Sequence, residues 1–380
     1  MQDEAPPRPT QYPPAFASSP ADRRALLSLS ALSGLTARKL LELAAVEGAA
    51  SACLAAVLGG RAGSRGDREY AQQIDPEEIS ARVAACDARV VAWGDAEYPP
   101  SLLDLADPPA VLYVRGRDLR SLLSPVAVVG SRRCSALGRE VAMDIARGLA
   151  AVGACVVSGA ARGIDSGAHR GALDAAGTTA AVLGSGIDVL YPPGSRRLLE
   201  EIELAGAILS EYPPGIHAEP FRFPARNRIV AGLACALVVV EGAGRSGSMI
   251  SVDHALDLGR DVFAVPGPVT SPLCEVPLAL IREGARMIRG ADDLLEDLGF
   301  DERPPSAAGP QELPSDERHA YEALMAPSLP DAVARAANVS IPDAVAALTR
   351  LELRGLVRNV GGRYERRLGP ATPRADPANA

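Results

Sequence analysis

Arg226 and Arg228 flank an asparagine in the string Phe223-Pro224-Ala225-Arg226-Asn227-Arg228, directly before the apolar run 229–234. Arginines at the start of a helix meet its positive end, so the pair needs an anionic counterpart. A phosphate backbone would serve, and so would internal carboxylates such as Glu211 or Glu241. A second pair closes Gly130-Ser131-Arg132-Arg133, between the run Val126-Ala127-Val128-Val129 and helical periodicity from about Leu137. An arginine here can grip a phosphate that also rests on the helix N-terminus, or form a salt bridge at a sheet edge. A third string, Ser158-Gly159-Ala160-Ala161-Arg162-Gly163-Ile164-Asp165, ends at a helix start that Asp165 is placed to cap. His169 follows one turn on, but no nucleophile with an orienting partner accompanies it, so acid–base catalysis is not read here.

These strings sit on a repeated pattern. Apolar runs at 126–129, 155–157, 180–183, 207–209 and 237–240 each end in small or charged residues, and each is followed by helical periodicity. The third run ends in Gly184-Ser185-Gly186 and the fifth leads to Ser246-Gly247-Ser248. Continuous Val/Ala/Leu/Ile runs suit strands buried on both faces of a parallel sheet. Right-handed crossovers then gather every strand-to-helix turn on one edge, where ligands of open α/β sheets bind. The fold class is α/β, a Rossmann-like doubly wound parallel sheet whose carboxyl edge is suited to phosphate. Gly130-Ser131-Arg132-Arg133 is not G-x-G-x-x-G, and no P-loop occurs, so neither a dinucleotide nor any other cofactor is expected.

The flanks differ. Residues 1–20 read as a disordered leader, and 21–80 as a helical domain of helix-hairpin-helix or SAM-like type around Leu32-Ser33-Gly34-Leu35-Thr36. Runs 89–93 and 110–114 read as strands entering the main domain, 88–300. Residues 301–312 read as a linker and 369–380 as a disordered tail. Between them, 313–368 gives three helices and a hairpin around Gly361-Gly362, a winged helix with Arg350, Arg354, Arg358, Arg363, Arg366 and Arg367 on its recognition helix and wing. Such a module can read DNA, dimerise or regulate. The net charge of −8 argues against wholesale polyanion coating. The six cysteines form no C-x-x-C pair, and most read as small core residues of a reducing cytoplasm. The four histidines show no metal spacing, and no apolar run spans a membrane.

The ordered set of strings resembles the DprA/Smf family of DNA-processing proteins. The carrying residues are 129–132, 158–165 with His169, Gly184-Ser185-Gly186-Ile187-Asp188 with Tyr191-Pro192, Ser210-Glu211-Tyr212-Pro213, 223–228, 246–248 and 262–267. The chain departs from the family pattern at Ala160, Ser251, Val276 and Leu278. The resemblance implies single-stranded DNA as ligand, the RecA recombinase and a single-strand-binding protein as partners, and RecA loading during natural transformation. It also implies a homodimer face around Leu278, Ile281 and Met287, although Leu280 and Ile281 equally fit a helix packed on the sheet.

DNA is expected on Gly130, Ser131, Arg132, Arg133, Gly159, Arg162, Gly163, Gly184, Gly186, Arg226, Asn227, Arg228, Ser246, Gly247 and Ser248, with Arg196 and Arg197 alongside. Few aromatics lie near these in sequence, so phosphate should outweigh base stacking. No catalytic residue and no metal are expected. Two other classes stay open: a nucleotide-processing enzyme of related fold, whose catalytic glutamate has no counterpart after Gly247, and a transcriptional regulator acting through the winged helix.

Overall fold

The computed structural model describes residues 10–244, 247–300, 313–324, 328–353, 356–360 and 362–366. Five helices come first: α1 (Pro20–Ser30), α2 (Ala37–Glu47), α3 (Ala50–Leu58), α4 (Arg65–Ala71) and α5 (Pro76–Ala85). Ser19 and Ser64 each start a helix through a reciprocal capping box, with Asp22 and Asp67 respectively. Their buried Leu26, Leu29 and Leu41 share one core with Val91, Leu112 and Tyr113 of the sheet. The Ser30 and Tyr113 hydroxyls meet at 2.7 Å. Residues 21–80 are therefore continuous in packing with the domain that follows. The leader expectation is corrected for residues 10–19: Tyr12 and Phe16 are buried and stacked at 4.6 Å, with Trp93 edge-on to Tyr12 at 5.3 Å. Residues 1–9 lie outside the described residues.

The sheet is nine-stranded. Along the chain run β1 (Arg89–Ala92), β2 (Val111–Gly116), β3 (Val126–Val129), α6 (Ala136–Ala151), β4 (Val156–Ser158), α7 (Ile164–Asp174), β5 (Thr179–Leu183), α8 (Arg196–Ala205) and β6 (Ala207–Ser210). Then come α9 (Arg222–Leu233), β7 (Ala236–Val239), α10 (Ser248–Asp257), β8 (Asp261–Ala264), α11 (Glu275–Arg282) and β9 (Arg286–Met287). The strand order is β1-β2-β6-β5-β4-β3-β7-β8-β9. From β6 to β9 the strands are parallel, while β2 joins β6, and β1 joins β2, antiparallel. All five expected central strands are present, with β3, β4, β5, β6 and β7 buried along their whole length. β3 lies between β4 and β7, so the strand order reverses direction there.

Residues up to Ile288 form one compact unit and those from Arg289 another. The second unit holds α12 (Ala291–Asp297), α13 (Ser315–Ala323), α14 (Pro330–Ala337), α15 (Ile341–Leu353) and the antiparallel hairpin β10 (Val357–Val360) and β11 (Arg363–Arg366). Leu324, Val333, Leu348, Leu351 and Tyr364 make its core. The linker and tail expected at 301–312 and 369–380 fall outside the described residues. Among the described residues no single helix is long and apolar enough to cross a membrane.

Candidate nucleic-acid interface

The turns after β3 and β7 meet at the point where the strand order reverses, the usual place for a ligand in an open α/β sheet. The Ser131 N–H donates to the Glu241 carbonyl at 2.7 Å. A Cβ on Gly130 would stand 2.7 Å from that same oxygen. The Glu241 side chain is buried and accepts from the Ser135 N–H at 2.8 Å and the Ser135 hydroxyl at 2.6 Å. Ser135 Oγ in turn takes the Gly138 N–H at 2.9 Å, and Gly138 leaves room for the carboxylate, which a Cβ would meet at 2.3 Å. The N-terminus of α6 therefore already holds an internal anion. The expectation of a phosphate resting there with help from the Ser131 N–H is corrected, because both donors are engaged within the protein.

The exposed cations stand in front of this closed end. Arg132 and Arg133 follow β3, Arg162 follows β4, and Arg139, which sequence reasoning missed, lies on the first turn of α6. All are exposed, and among the described residues no carboxylate pairs with any of these four. The two arginine-bearing loops touch because Gly163 adopts a φ of +84° and comes so close to Ser131 that a Cβ would lie 2.2 Å from its carbonyl oxygen. The Ile164 N–H donates to that carbonyl at 3.2 Å. Arg132 also lies over the Phe223 ring at 4.7 Å, and Tyr191 packs on Phe223 at 5.4 Å. The fold thus brings aromatic rings to the edge, correcting the expectation of few aromatics there. Only the three-dimensional placement of the β5 and β6 loops reveals this.

Several expected contacts serve the protein's own structure. α9 starts at Arg222, so Arg226 and Arg228 lie within the helix and not at its entry. Arg228 is buried and pairs with Glu211 at 2.7 Å and Asp107 at 3.2 Å. Burial opposes its charge, but the two carboxylates outweigh that and hold the guanidinium above its ordinary range. Arg228 is thus withdrawn from the DNA contacts, and the internal-carboxylate alternative is the one realised. Arg226 is buried too: it donates to the Val182 carbonyl and lies where a Cβ on Gly159 would stand. Burial pulls it down to about 10, against the pull of Asp165. Asp165 is itself buried and pushed up by that burial, with Arg226 opposing. Its carboxylate accepts from the Ala161 N–H at 3.3 Å, while α7 has Gly163 at its N-cap and no side-chain cap, so the capping role expected of Asp165 is corrected.

Asn227 donates to the Gly247 carbonyl at 3.1 Å. Gly184 and Gly186 are buried because Phe223 and the Pro213 carbonyl approach them, and Gly163 is buried against Ser131, so none of the three faces solvent. Gly247 is exposed, Ser248 is buried at the start of α10, and Ser246 lies outside the described residues. Arg196 and Arg197 are exposed on α8 but face Glu200 at 4.0 Å and Glu201 at 3.1 Å.

His169 is fully buried, with Nδ1 2.7 Å from the Thr179 hydroxyl. That hydroxyl donates to the Val156 carbonyl at 2.7 Å, so Nδ1 carries the proton and Thr179 accepts it. Cys235 is exposed, a departure from the core role expected of the cysteines, and all six are free thiols. Towards the β9 end of the sheet, Leu280 is buried and Ile281 packs on the core, whereas Leu278 is half-buried and Met287 is exposed on the edge strand β9. In the winged helix, Arg350 is taken up by Asp316 and Glu317, which corrects its placement on a free recognition face. Arg354 and Arg367 lie outside the described residues.

The comparisons with known proteins agree with this layout. A family model described as DNA recombination-mediator protein A matches residues 89–299, and one described as the DprA winged helix domain matches 304–363. A putative DNA processing protein DprA of Mycobacterium tuberculosis is 42% identical over 67% of this chain and 68% of its own. Protein Smf of Escherichia coli is 39% identical over 71% of this chain and 75% of its own. The X-ray structure of DNA processing protein A from Streptococcus pneumoniae superposes with a TM-score of 0.64 at 35% identity, covering 73% of this chain and 98% of that one. A structure of DNA processing protein A from Helicobacter pylori, described for its single-stranded DNA-binding mode, gives 0.51 at 29% identity, covering 57% of this chain and 97% of that one.

Proposed function

Because this chain belongs to the DprA/Smf family of DNA-processing proteins, we propose that it binds the phosphate backbone of single-stranded DNA along the carboxyl edge of its sheet. The observation that carries this reading is the cluster Arg132, Arg133, Arg139 and Arg162, exposed and without carboxylate partners among the described residues. Most other exposed arginines of the first unit are paired. A concentration of unpaired guanidinium groups at a ligand-binding edge suits a polyanion, and their planar forks suit phosphate oxygens. The single-stranded DNA-binding mode described for the Helicobacter relative supports a single strand as that polyanion. Titration with labelled oligo-dT across a salt series tests it. Three to five phosphate contacts give a log–log slope of about −2 to −4, and a salt-independent or undetectable interaction would overturn the reading.

We extend the proposal to a role in handing the bound strand to RecA during natural transformation, with a single-strand-binding protein as the competitor on incoming DNA. The family resemblance supports this role, which is one of binding without turnover, in the cytoplasm. The six free thiols suit a reducing compartment. A homodimer through Leu278, Ile281 and Met287 completes the reading: Leu278 and Met287 keep apolar surface towards the β9 end of the sheet, and Val269, in the loop after β8, is 87% exposed. Stimulation of RecA filament formation on strands coated with single-strand-binding protein, lost on adding Leu278→Glu, is the expected result.

A further inference from the structure

We propose that Tyr191 and Phe221 stack unpaired nucleobases, forming a base platform beside the arginine cluster; this rests on the single-strand reading above. The two rings belong to two interlocked stacks. In one, Phe223 carries Arg132 at 4.7 Å and Tyr191 at 5.4 Å. In the other, the Arg222 guanidinium lies 4.6 Å from the Tyr212 ring centre and 5.0 Å from that of Phe221. Arg222 is itself largely buried and held by Glu219 at 3.0 Å, so the second stack is fixed in place. Both stacks end in an aromatic side chain open to water: Tyr191 is 41% exposed and Phe221 60%.

Large exposed rings on a folded surface are uncommon, and here both stand on the edge that carries the cations. Tyr191 comes from the turn after β5 and Phe221 from the turn after β6, while Arg132 follows β3. In the order β6-β5-β4-β3 these turns lie within three strand spacings, roughly 14 Å. Phe221 rests on the Arg222 guanidinium and Tyr191 on the Phe223 ring that carries Arg132, and each contact restrains its ring, so little side-chain freedom is lost when a base lands on it. The ligand that fits is a flat π face next to a phosphate, which only an unpaired nucleotide offers. In a duplex each base face is already covered by its neighbours. The platform would therefore give the preference for single strands that guanidinium–phosphate contacts alone do not supply.

The test uses the full-length protein and two labelled strands of equal length, oligo-dT and the same strand with abasic deoxyribose at every position. The parent is expected to bind the base-bearing strand more tightly by about twenty-five-fold or more, at least about five-fold for each of two stacked bases. Tyr191→Ala and Phe221→Ala are each expected to lose about five-fold or more on oligo-dT, the lower end for one stacked base. Their affinity for the abasic strand and their salt slope should stay as in the parent, and Tyr191→Phe should restore binding. Equal affinity of the parent for both strands, or equal losses by the variants on both, would overturn the platform and leave phosphate binding standing. No binding of either strand would overturn the DNA-binding reading itself, and the platform with it.

Discussion

Arg132 and Arg228 illustrate how one residue type takes opposite roles over a short distance. Arg132 is exposed and lies over the Phe223 ring with no carboxylate in ion-pair contact among the described residues, whereas Arg228 is buried between two carboxylates. Arg132→Ala should weaken oligo-dT binding by about 1–3 kcal/mol, the range for a charge-assisted hydrogen bond, and lower the salt slope by about 0.7. Arg228→Ala should act on stability, by roughly 3 kcal/mol in denaturant unfolding, because Glu211 and Asp107 lose their shared counter-charge. An Arg228→Ala protein that is fully stable and fails only in DNA binding would reverse this assignment. His169 makes a pH prediction at the same scale. Burial pulls it down to about 3, below its unfolded value of about 6.5. Its contribution is thus fully present above pH 6.5 and is lost as pH falls toward the folded value, since the unfolded chain binds the extra proton. Unfolding free energy should drop by roughly 2 kcal/mol between pH 6.5 and 5, and His169→Gln should flatten that limb. Asp165, raised by burial, acts with the opposite sign, adding stability as pH falls through its raised folded value.

At the level of elements, the apolar runs of β3 to β7 were legible because strands covered on both faces need no polar alternation. β9 was not: it has two residues, both exposed, and exists only because β8 offers it a partner. The site was half legible for a related reason. Arg132, Arg133 and Arg162 lie in the turns where chain direction alone puts them. Glu211 was a candidate partner for Arg228 by its charge, but Asp107, the second carboxylate on Arg228, and Tyr191, which packs on the ring beneath Arg132, come from distant turns, so local spacing carries no trace of them. The least legible feature is the link between β7 and α6. Glu241 lies at the end of one element and holds the N-cap serine of another that is remote in sequence, beside the helix N-terminus where a cofactor phosphate sits in dinucleotide-binding sheets. Glu241→Ala should cost about 1–3 kcal/mol in stability, because the Ser135 N–H and hydroxyl lose their acceptor. It should also open the α6 N-terminus to anions, so that phosphate raises the melting temperature of the variant more than that of the parent. Equal phosphate responses would show that the carboxylate does not guard this end.

On the scale of the whole molecule, the division of the chain differs from the one its composition suggests. Helices α1 to α5 look like a separate module by sequence, since the Gly/Arg/Ser stretch 59–66 and the charged α5 precede the first strand. In the fold they cover the antiparallel edge of the sheet. Tyr12 and Phe16 pack with Trp93, Arg23 pairs with Asp95, and Arg38 donates to the Ala106 carbonyl at 2.8 Å. Even the hairpin amide of Gly34, which a helix-hairpin-helix would offer to a nucleic-acid phosphate, donates to Asp67 at 2.8 Å. The N-terminal helices are therefore part of the sheet's core, and removing them would uncover Val91, Leu112 and Tyr113, each at most 1% exposed in the intact chain. A fragment of residues 86–300 should accordingly aggregate or show the weak near-ultraviolet signal of a loosely packed state. A fragment of residues 10–300 should unfold in one cooperative transition and keep its affinity for oligo-dT. The winged helix has its own core and falls outside that transition. Soluble, cooperatively folding 86–300 would mean that the helices form a domain of their own, and the shared core would then contribute little to the stability of the sheet.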